Sequence, residues 1–195
     1  MAVRFKDAHE HLSQEQILEC TATLRGLPWE HPSCNSQRAE KMAASDSRFR
    51  ANSFILGKNP LTGDLVWPMN EEKNREHYRA LRKVFKVLSA LLKEKDPDFV
   101  FHQITINKNL KCRKHRDQHN AGPSYIVGFG EFLGGEMVLW PEDNTSRGFA
   151  HNVKHRFVKF NGAPPTSAPI SMRMRALPTA PASPHVPRAR VRCQA

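Results

Sequence analysis

Four cysteines stand far apart, at positions 20, 34, 112 and 193, and no two form a CxxC pair. That spacing offers no disulfide framework and fits a reduced, intracellular setting. No apolar run approaches the ~20 residues that a membrane span needs. Residues 1–14 have no apolar h-region, so no secretory signal is visible. The expectation is a protein of the nucleus or cytoplasm, not secreted, with no membrane role. Aromatic and acidic residues are missing altogether from the last 35 positions, which also lack Lys.

What is present suits one globular domain plus a tail. The chain has 195 residues, 39% hydrophobic and 25% charged, a soluble globular profile. Its net charge of +11 favours a polyanionic partner such as nucleic acid. The charge alone specifies no groove, and a merely basic soluble protein reads equally well.

Residues 13–24 read as a helix. Ser13 and Gln16 make a capping-box pattern, and Gly26 is a natural stop. Residues 27–50 have mixed charge, two prolines and no period, which suggests loop. Residues 53–67 read as two strands joined by a turn at 59–63. A helix follows, capped by Asn70, in which Tyr78, Leu81, Val84, Phe85, Leu88, Leu91 and Leu92 recur at spacings of three and four. It ends before Asp96-Pro97. From residue 99 the pattern turns to strand: "FVFHQITIN", "SYIVGFG", "GEMVLW" and "VKHRFVKF". One long helix on several strands predicts an α+β class or a helix-backed β-barrel.

Residues 161–195 hold seven prolines, seven alanines and five arginines. Such a composition buries too little apolar surface to offset chain entropy, so disorder is expected. The domains expected are an N-terminal helix and loop over 1–52, a β-domain over 53–162 and a disordered tail over 163–195.

The chemistry concentrates in "NKNLKCRKHRDQHNAGPSYIVGFGEFLGGEMVLW", residues 107–140. His115-Arg116-Asp117 is an H-x-D. In extended backbone, residues two apart project to one side, so imidazole and carboxylate can reach one metal. Fe(II) oxygenases use two histidines and one carboxylate on one face of the ion. In a chain with ten histidines a bare H-x-D arises by chance, and context decides. His119, four residues on, would sit ~13 Å from His115 along a strand, too far to share the ion. Cys112, His115 and His119 form a rival zinc pattern, but Gly122-Pro123 argues against the helix that would align them, and no fourth ligand is near. Gly128-Phe129-Gly130 is a lone G-x-G and reads as a strand end. Lys108, Lys111, Arg113, Lys114 and Arg116 border the H-x-D; they could steer a phosphate backbone or form a solvated loop.

The order helix, strand, H-x-D, N-x-G-x-S, apolar strand, G-x-G, GG-E, apolar strand resembles the Fe(II)/2-oxoglutarate-dependent dioxygenases. In particular "HRDQHNAGPSYIVGFGEFLGGEMVLW" and "HNVKHRFVKFNG" are similar to the TET/JBP-like branch of algae and other protists. The resemblance spans residues 53–162. It implies a double-stranded β-helix (a jelly-roll or cupin-like core with packing helices), Fe(II) and 2-oxoglutarate as cofactors, and oxidation of a pyrimidine methyl group in nucleic acid. Decarboxylation of 2-oxoglutarate would yield the oxidant, and an Arg would grip the far carboxylate. His115 and Asp117 match two iron ligands. The family's distal histidine belongs a few residues after "FNG", followed by a G-x-R-aromatic strand. Here Ala163-Pro164-Pro165-Thr166 follows, and no histidine comes until His185. The third ligand and the co-substrate arginine are missing from their expected places. His155 on the last strand candidate, or His151 next to it, could stand in as the third ligand; both also read as plain strand residues beside Lys154 and Arg156. The domain reads as C-terminally truncated, its tail as an out-of-frame or alternatively spliced product. The rival to an impaired oxygenase is a non-catalytic basic nucleic-acid-binding module built on the same fold.

Overall fold

A computed structural model describes residues 11–32, 34, 36–43, 51–58, 65–66, 71–113, 115, 122–132, 136–139, 149–161, 170–173 and 189–194. In chain order the elements are α1 (Gln14–Arg25), α2 (Ser36–Met42), β1 (Asn52–Lys58), β2 (Leu65–Val66), α3 (Arg75–Lys95), β3 (Gln103–Lys108), β4 (Pro123–Phe129), β5 (Glu136–Leu139), β6 (Phe149–His151), β7 (Val158–Asn161), β8 (Ile170–Arg173) and β9 (Ala189–Gln194). The class is α+β, as the patterning predicts.

Helix α1 begins with the expected capping box. Ser13 Oγ accepts from the Gln16 N–H, and Gln16 Oε1 accepts from the Ser13 N–H. Gln16 also reaches Glu94 at 3.1 Å, which ties the start of α1 to the end of α3. Helix α3 buries Leu81, Val84, Leu88, Leu91 and Leu92 of the stripe read from the sequence, while Tyr78 and Phe85 are half-buried. It starts later than expected, after Asn74. The Asn74 side chain makes no cap bond and instead meets His31 Nε2 at 3.0 Å. Asn70 lies outside the described residues. At the other end Lys93 Nζ donates to the carbonyls of Pro97 and Phe99, at 2.8 and 2.7 Å, where the helix dipole favours a cation.

The strands form a six-stranded sheet in the order β2-β1-β3-β9-β4-β7 and a three-stranded sheet in the order β6-β5-β8. Every pairing within them is antiparallel. From β4 onward the chain passes twice from the larger sheet to the smaller and back, the interleaving a jelly roll requires. Strand β4 explains the layering. Tyr125, Val127 and Phe129 join the helix-side core with Phe54, Leu56, Ile104, Ile106 and the α3 stripe. Ile126, between them in sequence, joins a second core with Met137, Val153, Val158 and Phe160. Both faces of β4 are therefore covered, which is why its sequence is a continuous apolar run rather than an alternating one. At Gly57 (φ 148°) a Cβ would sit 2.1 Å from the His102 carbonyl, so only glycine lets β1 approach there.

Three expectations need correction. Residues 27–50 are not all loop, since α2 lies within them. The helix is short and polar, with no periodic stripe; docking of the buried Ala39 holds it. The strand read over 153–160 begins only at Val158, because residues 154–156 turn at His155 (φ 55°). The third correction concerns the tail. Ile170–Arg173 pairs with β5, and Ala189–Gln194 lies between β3 and β4 with six register partners on each side. These two segments are strands of the domain, so the boundary at 163 does not separate fold from disorder. Lone strands of four and six residues have no local signal that survives a Pro/Ala/Arg-rich surrounding; the ladders of neighbours far away in sequence define them. Three of the tail's arginines lie in these strands: Arg173 ends β8, and Arg190 and Arg192 lie in β9.

Candidate metal centre

The segment leading to His115 is held by α2. After β3, Asn109 adopts a left-handed conformation (φ 57°), which asparagine tolerates better than most residues. Leu110 and Cys112 then turn into the second core beside Ala39, Met42 and Ala43. Cys112 bridges Ala43, and the Arg113 N–H donates to the Met42 carbonyl at 3.0 Å. Cys112 thus serves as a core residue. None of the α2 contacts is visible in the sequence; their only trace is the apolar pair Leu110 and Cys112 within a basic stretch.

His115 is half-buried, with Nδ1 2.8 Å from the Arg113 carbonyl oxygen. A carbonyl oxygen only accepts, so Nδ1 carries the proton. In the neutral ring Nε2 then carries the lone pair, the tautomer a metal-ligating imidazole needs. Nε2 is itself buried. His115 therefore fits one ligand position of an iron ion. Asp117, His119 and His185 lie outside the described residues. Among the described residues no three His, Cys, Asp or Glu side chains gather as a metal cluster. They offer one candidate ligand and no triad.

His155, the stand-in, sits in the turn between β6 and β7. Its N–H donates to the Gly128 carbonyl, and its own carbonyl accepts from the Leu12 N–H, both at 2.9 Å. Burial holds the His155 imidazole below its ordinary pKa of 6.5, helped by the Lys154 charge and opposed by Glu131 and the Gly130 carbonyl. Its Nε2 is buried and has no hydrogen-bond partner among the described residues. Lys154 is paired with Glu131 at 3.1 Å, and the Arg156 guanidinium donates to His11. The register sets Lys108 and Phe129 opposite the same residue, Ala189. So β3 and β4 end together; the chain toward His115 leaves the sheet at that end, and His155 bonds Gly128 near it. His151 pairs with Met137 on β5. Gly128, from the lone G-x-G, plays a packing part. A Cβ there would meet the Phe132 ring at 2.9 Å and the Val153 carbonyl at 3.3 Å.

Among the described residues no helix is long and apolar enough to cross a membrane. No family model and no curated protein matches the chain. Solved structures similar to it include an oxidoreductase of the 2OG-Fe(II) oxygenase family from Burkholderia pseudomallei, at 13% identity and a TM-score of 0.49, with 94% of this chain and 79% of that one covered. OsALKBH1 is similar at 12% identity and a TM-score of 0.49, covering 94% and 92%. A C-terminally truncated protein of Neurospora crassa, in apo form, is similar at 12% identity and a TM-score of 0.42, covering 93% and 77%.

Proposed function

We propose that the chain is an Fe(II)/2-oxoglutarate-dependent dioxygenase-like protein in which His115 and Asp117 bind iron, with pyrimidine methyl groups of nucleic acid as the substrate class. The observation that carries this reading is the state of His115, whose lone pair stands on a buried Nε2 two residues before a carboxylate. Iron and 2-oxoglutarate, when bound with O2, would supply C–H oxidation. The chain's own part is to fix the imidazole tautomer through the Arg113 carbonyl and to seat the segment against α2. Arg190 and Arg192 follow "FNG" on β9 and are the candidates for the far carboxylate of 2-oxoglutarate. His155 is the candidate third ligand, since burial disfavours its charged form.

The consequence is weak metal binding and little turnover, because a facial triad without its usual second histidine holds iron poorly. Calorimetric titration of the full chain with Mn(II) should give a weak single site that the His115→Ala, Asp117→Ala double variant loses. Unchanged binding in that variant would show that the site is misassigned. Robust succinate release by the wild-type chain would contradict the expected impairment, and its loss in His155→Ala would identify the stand-in.

A further inference from the structure

The buried stripe of α3 leaves an outer face of one sign. Arg79, Arg82, Lys83 and Lys86 are all exposed, and none has a hydrogen bond or ion pair among the described residues. They are neighbours at spacings of three and four, so each like-charged pair weakens the helix rather than supporting it. Ordinary solvated helices mix the two signs. Here the acids collect at the ends: Glu71, Glu72 and Glu76 around the first turn, and Glu94 beside Gln16 in the last. Helix α1 runs antiparallel to α3, its start tied to Glu94 and the segment after it tied to Asn74 through His31. Its exposed Glu15 and Glu19 therefore lie toward the far end, and its exposed Arg25 toward the basic stretch.

We propose that this outer face of α3 binds the phosphate backbone of nucleic acid. At a rise of 1.5 Å per residue the four cations extend over roughly 10 Å, or roughly 16 Å with Arg75. One strand of a duplex carries a phosphate about every 3.4 Å, so the stripe spans roughly three to five phosphates. An anionic membrane fits less well, since surface-lying helices need an apolar face to insert and the apolar face of α3 is in the core. Contacts limited to phosphates make the binding sequence-independent and strongly salt-dependent. The proposal does not rest on oxygenase activity.

The test uses the full chain and a fluorescein-labelled duplex of about 20 base pairs, followed by anisotropy between about 50 and 200 mM potassium chloride. The quadruple variant Arg79→Gln, Arg82→Gln, Lys83→Gln, Lys86→Gln should bind at least about tenfold more weakly at the lower salt. Its log–log salt slope should be shallower by about 3.6, at about 0.9 for each of the four cations removed. Circular dichroism and a melting curve establish that the variant is folded. If they show it is not, Arg79→Gln with Lys86→Gln gives the same reading at about half the change in slope. A charge-keeping variant, Arg79→Lys with Arg82→Lys, should bind like the wild type, and its failure to do so would count against phosphate contacts. All arms are run without added metal or 2-oxoglutarate, which separates this test from that of the metal site. Wild-type affinity and slope in a folded quadruple variant would overturn the proposal. So would a loss confined to Lys108→Gln, Lys111→Gln, Arg113→Gln. Binding to phosphatidylserine vesicles but not to the duplex would overturn it as well.

Discussion

Tyr125→Phe should destabilise the protein by about 1–2 kcal/mol, and the loss should be largest at neutral pH. The Tyr125 hydroxyl donates to Asp96 Oδ2 at 2.7 Å, and Lys159 Nζ donates to the same oxygen at 2.8 Å. Three elements meet there: Asp96 caps α3, Tyr125 is on β4, and Lys159 is its register partner on β7. The Lys159 ammonium also lies over the rings of Phe99 and Tyr125, at 5.4 and 5.2 Å. A hydrogen bond to a charged group contributes about 1.5–3 kcal/mol. Solvent reduces that here, because the side chains of Lys159 and Asp96 are 45% and 21% exposed. Phenylalanine keeps the edge-to-face contacts with Phe99 and Phe157, so only the bond is removed. The melting temperature should fall by about 2–8 °C, at roughly 2–4 °C per kcal/mol for a chain of this size. The pH dependence has a fixed sign. Lys159 and Tyr125 hold the Asp96 carboxyl below its ordinary 3.8, so its contribution is present above that value and fades as pH falls through the folded pKa. Burial, then Asp96, raises the Tyr125 phenol above its ordinary 10.0. That contribution is complete below pH 10 and is lost as pH rises toward the folded pKa. Urea titrations of wild type, Tyr125→Phe, Asp96→Asn and the double variant measure the coupling directly. A coupling below about 0.3 kcal/mol would mean that the triad does not form in solution.

Three further outcomes are expected. Deleting residues 189–195 should leave β3 and β4 without the strand between them, and the chain should precipitate or bind a hydrophobic dye; a soluble, cooperatively melting product would show that β9 is dispensable. Gly128→Val should destabilise by at least about 2 kcal/mol, since the Phe132 ring must move to admit it, and Phe132→Ala in the same chain should recover part of that loss; equal stability of Gly128→Val and wild type would refute the packing. Burial pushes the Cys20 thiol up to about 12, so iodoacetamide at about pH 8 should label it only after unfolding; rapid native labelling followed by mass spectrometry would contradict its burial.

Local physics made part of this protein readable in advance. The 3.6-residue stripe of α3 and the capping box of α1 depend on residues three or four apart, and both stand as read. The apolar runs of β1, β3, β4 and β5 announce strands, whereas the H-x-D points to His115 only together with the family-like block around it. The rest depends on contacts across the chain. Asp96 meets Tyr125 and Lys159 over separations of 29 and 63 residues, and no local pattern marks such a trio. Helix α2 has no stripe of its own; it holds because Ala39 and Ala43 meet Leu110 and Cys112, and it thereby aims the segment bearing His115. Strand β9 is six unremarkable residues in a proline-rich stretch, made a strand by ladders to Gln103–Lys108 and Pro123–Phe129. Hydrophobic periodicity is written locally, whereas strand pairing and the seating of the His115 segment against α2 are properties of surroundings that exist only once the chain has folded.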